Sequence, residues 1–329
     1  MVISRRQFLA AALAVPALPG MPARADSVAA AWPRHPVRLV VTFPPGGSSD
    51  IVARLLAPVL QEKLGQPFVT DNRPGAGSTI GAAAVAAAPN DGYTLLMSNS
   101  AALSISPFLL RRPAYDPVRS FTHVHYIGAV PTVFAVHPSV PARNLAELAA
   151  WIRAQRDPVP FGSGGAASVA HIVGEQFGQQ AGLRLTHVPY KGAGPMRADL
   201  LGGQIPFAVD ALPQNLPLLQ SGALRLLAVT SAQRVPQAPQ LPTVAQAGYP
   251  GLVAENFVGV SAPANLPEDI VQRLHQQLQA ILQQPALRGR LEAQGFVLAE
   301  RRPDEFATYV RQQAQAWGPV VAATGATLS

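Results

Sequence analysis

Residues Val37–Leu60 read VRLVVTFPPGGSSDIVARLLAPVL, and the reading of this stretch decides the fold. Val37 to Phe43 is a short, apolar, β-branched run, the pattern of a strand buried on both faces. Pro44-Pro45-Gly46-Gly47 cannot continue a strand and marks a loop. Ser48, Ser49 and Asp50 are N-cap residues, and Ile51, Leu55 and Leu56 follow at helical spacing. The unit is therefore strand, tight loop, helix. A glycine loop feeding a helix N-terminus leaves backbone N–H groups without acceptors, and such groups suit an anion.

Working outward, the same grammar repeats. Gln66–Thr70 is a strand, Asn72–Gly77 a loop, and Ser78 or Thr79 caps an alanine-rich helix over Ile80–Ala88. Pro89-Asn90-Asp91-Gly92 is a turn, and Tyr93–Met97 is a third strand. A β-α-β-α-β order with short connections predicts a parallel sheet with right-handed crossovers. Thr122–Val136 reads as one or two apolar strands broken at Pro131, where the chain crosses to a second lobe. Leu145–Gln155 is an amphipathic helix capped by Asn144, with Glu147 three residues on.

Val159–Gly162 is then a strand leading into a second Gly/Ser loop, Ser163–Ser168, which opens a helix over Val169–Ala181. Leu185–Val188 is a strand running into Pro189-Tyr190-Lys191-Gly192. A helix over Pro195–Leu201 and a strand over Ile205–Val209, ending at Asp210, complete the repeat. Leu224–Thr230 and Gly259–Ala262 are further strands. Helices follow over Ile270–Gln283, Ala286–Gln294 and Pro303–Val320, the last with Phe306, Tyr309, Val310 and Trp317 on its apolar face.

The 329 residues suffice for two domains, and 48% hydrophobic content suits a large core. The chain has no cysteine, which excludes disulfides, thiolate metal sites and cysteine nucleophiles. Met1–Ala25 reads as an export signal. Ser4-Arg5-Arg6-Gln7-Phe8-Leu9 matches the twin-arginine pattern, Phe8–Leu18 is its apolar stretch, and Ala23-Arg24-Ala25 is the cleavage site. A membrane anchor is the alternative, but the stretch is short of the ~20 residues a span needs and is interrupted by Pro16, Pro19 and Pro22. The mature chain is expected to start at Asp26, outside the cytoplasm. Loss of Arg5, Arg6 and Arg24 lowers the formal charge from +7 to +4. The remaining basic residues are scattered, and nothing points to nucleic acid.

Several chemistries lack their motifs. Gly75-Ala76-Gly77-Ser78-Thr79-Ile80 fails the dinucleotide fingerprint, because Ile80 stands where a glycine is needed. There is no phosphate-binding G-x-x-x-x-G-K-[ST] and no G-x-S-x-G nucleophile elbow. His171 and Glu175 share a helix face and could hold a metal, and His123 and His125 alternate along a strand, but neither pair brings an obvious third ligand in the sequence. Tyr190-Lys191-Gly192 reads equally as a solvated surface turn or as a cleft wall with a free Gly192 N–H.

Four stretches together resemble the extracytoplasmic solute receptors of tripartite tricarboxylate transporters, the Bug or TctC family. They are Val37–Leu96; FGSGGAASVAHIVGEQF (161–177); HVPYKGAGPMRADLLGGQI (187–205); and LRLLAVTSAQR (224–234) with LPTVAQAG (241–248). The resemblance implies an α/β, type II periplasmic binding protein. Two lobes would close like a flytrap on an interlobe cleft, each with a mostly parallel sheet. It implies residues 26–130 and 250–329 for the first lobe and 131–249 for the second. It implies a small organic anion, a carboxylate, held by backbone N–H groups, serine hydroxyls and bridging waters. Carried over by position, the ligand contacts would be Phe43, Pro44, Gly46, Gly47, Ser48 and Asp50 in the first lobe. Ser163, Ser168, His171, Tyr190, Lys191, Gly192 and Asp210 would serve in the second. Ser98–Leu103 would tune ligand choice. No cofactor or metal is expected, the mature protein is expected to be a soluble monomer, and its partners would be membrane transporter subunits. A sensor for a histidine kinase and an exported enzyme using His171 with Asp210 or Glu175 are the alternatives.

Overall fold

The computed structural model describes residues 32–325; the expected export segment and its cleavage site lie outside the described residues. Ten strands form one continuous, strongly divided sheet among these residues. They are β1 (Val37–Val41), β2 (Phe68–Asn72), β3 (Thr94–Asn99), β4 (Phe121–Val136) and β5 (Val159–Ser163), then β6 (Leu185–Pro189), β7 (Phe207–Ala211), β8 (Arg225–Val229), β9 (Glu255–Pro263) and β10 (Val297–Leu298). The helices are α1 (Ser48–Leu64), α2 (Thr79–Ala86), α3 (Ser106–Leu109), α4 (Leu145–Arg153) and α5 (Val169–Ala181), then α6 (Ala193–Leu201), α7 (Leu212–Gln220), α8 (Glu268–Leu282), α9 (Pro285–Ala293) and α10 (Pro303–Thr324).

Strand β4 divides the sheet. Its first part, through Pro131, pairs antiparallel with β9. From Thr132 onward it pairs with β7, and from Val133 with β8. The first lobe has the order β2-β1-β3-β9-β4, with β10 on β4; β1, β2, β3 and β4 run one way, β9 and β10 the other. In the second lobe β5, β6, β7 and β8 run one way and β4 opposes them. Pro131 does not break the strand. It sits where β4 exchanges partners, so its missing N–H falls at the one position where the ladder changes hands.

Each sheet is covered on both faces, as α/β layers require. Val37, Leu39 and Val41 point to one side of β1, into a cluster with Leu56 and Leu60 of α1 and Leu274 and Leu278 of α8. Val40 points to the other side, toward Val85 of α2 and Phe306 and Val310 of α10. In the second lobe, Ala149 of α4 and Phe177 of α5 share one cluster with Phe161 and Phe207, while Met196 of α6 and Leu212 of α7 share another with Val229. Helix α10 belongs to both lobes: Phe306 and Val310 enter the first-lobe core, Trp317 and Val321 the second.

The structure adds α7, which sequence pattern hides because Pro213 and Pro217 read as breakers. Pro213 occupies the first turn, where no donor is needed, and Pro217 forfeits a single bond within the helix. Strand β9 begins at Glu255, four residues before the expected Gly259.

Candidate functional site

The loop after β1 is built around a buried carboxylate. Gly47, not a serine, takes the N-cap position of α1, with φ −85° and ψ 170°. Asp50, in the first turn, reaches back to accept the Gly46 N–H at 2.9 Å. Arg54 Nε and Asn72 Nδ2 donate to the same carboxylate, at 2.9 and 3.0 Å. Burial alone would push the Asp50 carboxyl up, but the Arg54, Gly46 and Asn72 hydrogen bonds outweigh it and hold the group below the ordinary carboxylate value. Asp50 thus holds the loop in shape and faces inward. The first-turn N–H groups of Ser48 and Ser49 have no acceptor among the described residues.

The second-lobe loop is built differently. Ser168 is the N-cap of α5: its Oγ accepts the His171 N–H at 3.1 Å and donates to the Gly165 carbonyl at 2.8 Å. His171 folds back so that its Nδ1 accepts the Ala167 N–H at 3.1 Å. Its ring stacks on His187 with centroids 3.8 Å apart and planes 16° apart. His187 Nε2 in turn meets Ser163 Oγ at 2.7 Å. Burial pushes His171 down to about 4, so it is neutral at neutral pH. Burial, reinforced by His171, pushes His187 down to about 3. His171, Glu175 and His187 bring potential metal-ligating atoms within 4.8 Å of one another. The near-parallel stacking, however, keeps the in-plane lone pairs of the two rings from converging on one ion. This group stiffens the loop.

Between the lobes lies a cleft with about 90 Å³ of space that the centre of a water molecule can reach. Of the expected contacts, Phe43, Pro44, Gly47, Ser48, Ser168, Gly192 and Asp210 line it. Gly46, Asp50, Ser163, His171, Tyr190 and Lys191 are not in its lining. Gly46 and Asp50 are bonded to each other, and Ser163 and His171 brace the second loop. Tyr190 is spent on Asp199, to which its hydroxyl donates at 2.7 Å; burial and that carboxylate push the phenol up to about 12. Lys191 is exposed.

The structure brings further residues to the cleft: Ser49, Ala101, Thr132, Gly164, Val169, Ala170, Ala193, Ala211 and Asn256. Val169 and Ala170 are the first residues of α5, Ala193 is the first of α6, and Ala211 is the N-cap of α7. Four helix N-termini therefore meet here, two more than the sequence reading identifies. Asn256 enters from β9, and its Oδ1 accepts the Ser100 N–H at 3.2 Å, leaving its Nδ2 as the available donor. Within Ser98–Leu103, Ala101 alone lines the cleft; Ser98 and Asn99 are engaged with Ser261 and Thr42.

The electrostatics favour a small anion. Asp210 is buried, with its Oδ2 taking Arg197 Nη1 at 3.0 Å and Asn215 Nδ2 at 2.8 Å. Burial raises its pKa, and Arg197 and Asn215 oppose that rise. With Asp50 and Asp210 each paired to an arginine, the helix termini set the field in the cleft. The two lobes also touch across its mouth. A Cβ on Gly192, whose φ is +110°, would lie 3.2 Å from Pro44 Cβ, and Gln214 Nε2 donates to the Gly46 carbonyl at 3.4 Å. The lobes are closed.

Comparison with known proteins agrees with this geometry. The family model described as the tripartite tricarboxylate transporter family receptor matches residues 52–326. Protein BugT of Bordetella pertussis is 37% identical over 298 residues, covering 90% of this chain and 91% of BugT. The solved structure of R. palustris Rpa4515 with adipate superposes with a TM-score of 0.85 at 35% identity, covering 90% of this chain and 99% of that one. MatC from Rhodopseudomonas palustris, with bound malate, superposes with a TM-score of 0.83 at 30% identity, covering 88% of this chain and 100% of that one. The fold is that of a two-lobed periplasmic binding protein, and the chain belongs to the tripartite tricarboxylate transporter receptor family, the Bug/TctC receptors.

Proposed function

We propose that this protein is a periplasmic receptor that captures a small carboxylate in the interlobe cleft and delivers it to the membrane subunits of a tripartite tricarboxylate-type transporter. The observation that carries the reading is the meeting of four helix N-termini, from both lobes, on one small cavity whose lining carboxylate, Asp210, is already paired with Arg197. Each N-terminus favours an anion by about 0.3–1 kcal/mol at an exposed site and up to ~2 kcal/mol when partly buried. Both lobes donate, so the closed form alone satisfies the ligand, and binding shifts the lobes toward closure.

The neighbours bound to adipate and malate make dicarboxylates of about this size the first candidates. Direct contacts are assigned to Phe43, Pro44, Gly47, Ser48, Ser168, Gly192 and Asp210, with Ser49, Ala193 and Asn256 added. Gly46, Asp50, Ser163, His171, Tyr190 and Lys191 shape or flank the two loops. The lobes divide at Pro131 and near residue 250, and Met1–Ala25 is removed on export by the twin-arginine route. The ligand leaves chemically unchanged: the Nδ1 lone pair of His171 is taken by the Ala167 N–H and His171 is absent from the cleft lining, which argues against a reading in which His171 is a catalytic base.

Native mass spectrometry of the purified protein tests this reading. A co-purified carboxylic acid of 1:1 stoichiometry is expected. If none is retained, a melting-temperature screen of mono-, di- and tricarboxylates should give a concentration-dependent rise with at least one of them. No rise with any member would sink the proposal.

A further inference from the structure

Strand β9 serves two cavities. Successive side chains of a strand point to opposite faces. Asn256 lines the cleft, and its neighbour Glu255, paired with Pro131 where β4 passes between the lobes, lines a second cavity. That cavity has about 320 Å³ of space reachable by the centre of a water molecule. Its walls include Gln176 of α5, Val253 and Glu255 on the way into β9, and Tyr309, Gln313 and Trp317 of α10. It is therefore bounded by a second-lobe helix, by a first-lobe strand, and by the helix that belongs to both.

The Glu255 carboxylate is half-buried and has no hydrogen bond or ion pair among the described residues; its backbone carbonyl accepts from Ser100 Oγ at 3.3 Å. Burial raises its pKa without an opposing partner. Arg301 stacks over the rings of Tyr126 and Tyr309, 4.9 and 4.5 Å from their centroids, so one face of Tyr309 already carries a cation. Trp317 Nε1 donates to Gln313 Oε1 at 3.2 Å, which fixes the indole in the wall. A partly desolvated carboxylate without a counter-ion is unfavourable, and an incoming cation relieves it. The Trp317 indole in the same wall adds cation–π attraction.

We propose that this cavity binds an alkylammonium or guanidinium group, with Glu255 as its counter-ion and Trp317 as its aromatic wall. The group arrives either on a free small amine or as a lysine or arginine side chain of another protein chain. The site is separate from the cleft and stands or falls independently of the carboxylate reading.

The test titrates the protein with n-butylammonium and methylguanidinium chlorides at constant chloride, with 1-butanol and N-methylurea as neutral counterparts. Tryptophan fluorescence and calorimetry report binding. Saturable binding of a cation and none of its neutral counterpart is expected. Glu255→Gln should weaken that binding about tenfold or more, which corresponds to about 1.4 kcal/mol. The melting temperature of the variant should be unchanged or raised, since an unpaired charge is removed. Equal binding of the neutral compounds, unchanged affinity in Glu255→Gln, or no saturable binding of either cation would overturn the proposal. An end-blocked Gly-Arg-Gly peptide distinguishes the sources. Tighter binding than methylguanidinium identifies a partner side chain; weaker binding identifies a free amine.

Discussion

Single residues in this protein act through what they permit at close quarters. Gly192 is the clearest case. Its φ of +110° strains any residue with a side chain, and a Cβ would meet Pro44 across the cleft at 3.2–3.3 Å. Gly192→Ala should cost about 1–3 kcal/mol of stability through the backbone and weaken ligand binding roughly tenfold or more by opposing closure. Calorimetric titration checks the affinity. Adding Pro44→Gly should recover part of it; no recovery would mean that the Pro44 contact is not what opposes closure. Asp50 makes a different prediction. Asp50→Ala removes the acceptor for Gly46, Arg54 and Asn72 at once, and should cost about 1–3 kcal/mol in urea denaturation. It should also weaken ligand binding, although Asp50 is not in the cleft lining, because the loop is no longer held open to the ligand.

At the scale of elements, the strand–loop–helix units were legible because strand and loop each carry a distinct signal: β-branched runs, then Pro and Gly, then small polar residues. The loops at Gly47 and Ser168 could be read for the same reason. The N-terminus of α6 was read two residues late, at Pro195, and that of α7 was not read. Ala193 and Ala211 carry no capping side chain, and their place at the cleft follows from which strand edge they leave. Asn256 was hidden likewise, because it reaches the cleft from a strand that returns more than a hundred residues after β4 begins. Residues such as Asp50 and His171 were visible as polar groups near the loops, but whether a polar side chain faces a ligand or braces a backbone is decided by tertiary contacts. Helix α10 joins the lobes through packing. Phe306 is fully buried and meets His123, Tyr126 and Phe257 edge-on. Phe306→Ala should cost about 3–5 kcal/mol, measurable as a lowered urea midpoint; a loss within about 1 kcal/mol would contradict this packing role.

For the whole molecule, buried histidines set the response to acid. Burial lowers His123 and His171 to about 4, and lowers His125 and His187 to about 3, from 6.5. The unfolded chain therefore binds more protons than the folded one below pH 6.5. The stability these neutral rings allow is intact above that pH and is lost progressively as the pH falls toward 4 and 3. Asp210, Glu175 and Glu255, whose values are raised by burial, act in the opposite sense. Denaturation series between pH 7.5 and pH 4, chosen to span about this window, should show falling stability. His187→Gln should flatten part of the slope.

Calorimetric titration of the protein with adipate, malate and citrate, beside adipamide as an uncharged match, tests the central claim most directly. A carboxylate should bind 1:1 and the uncharged amide should bind at least about tenfold more weakly. Equal binding of the amide would contradict an anion held between the helix N-termini of two closed lobes.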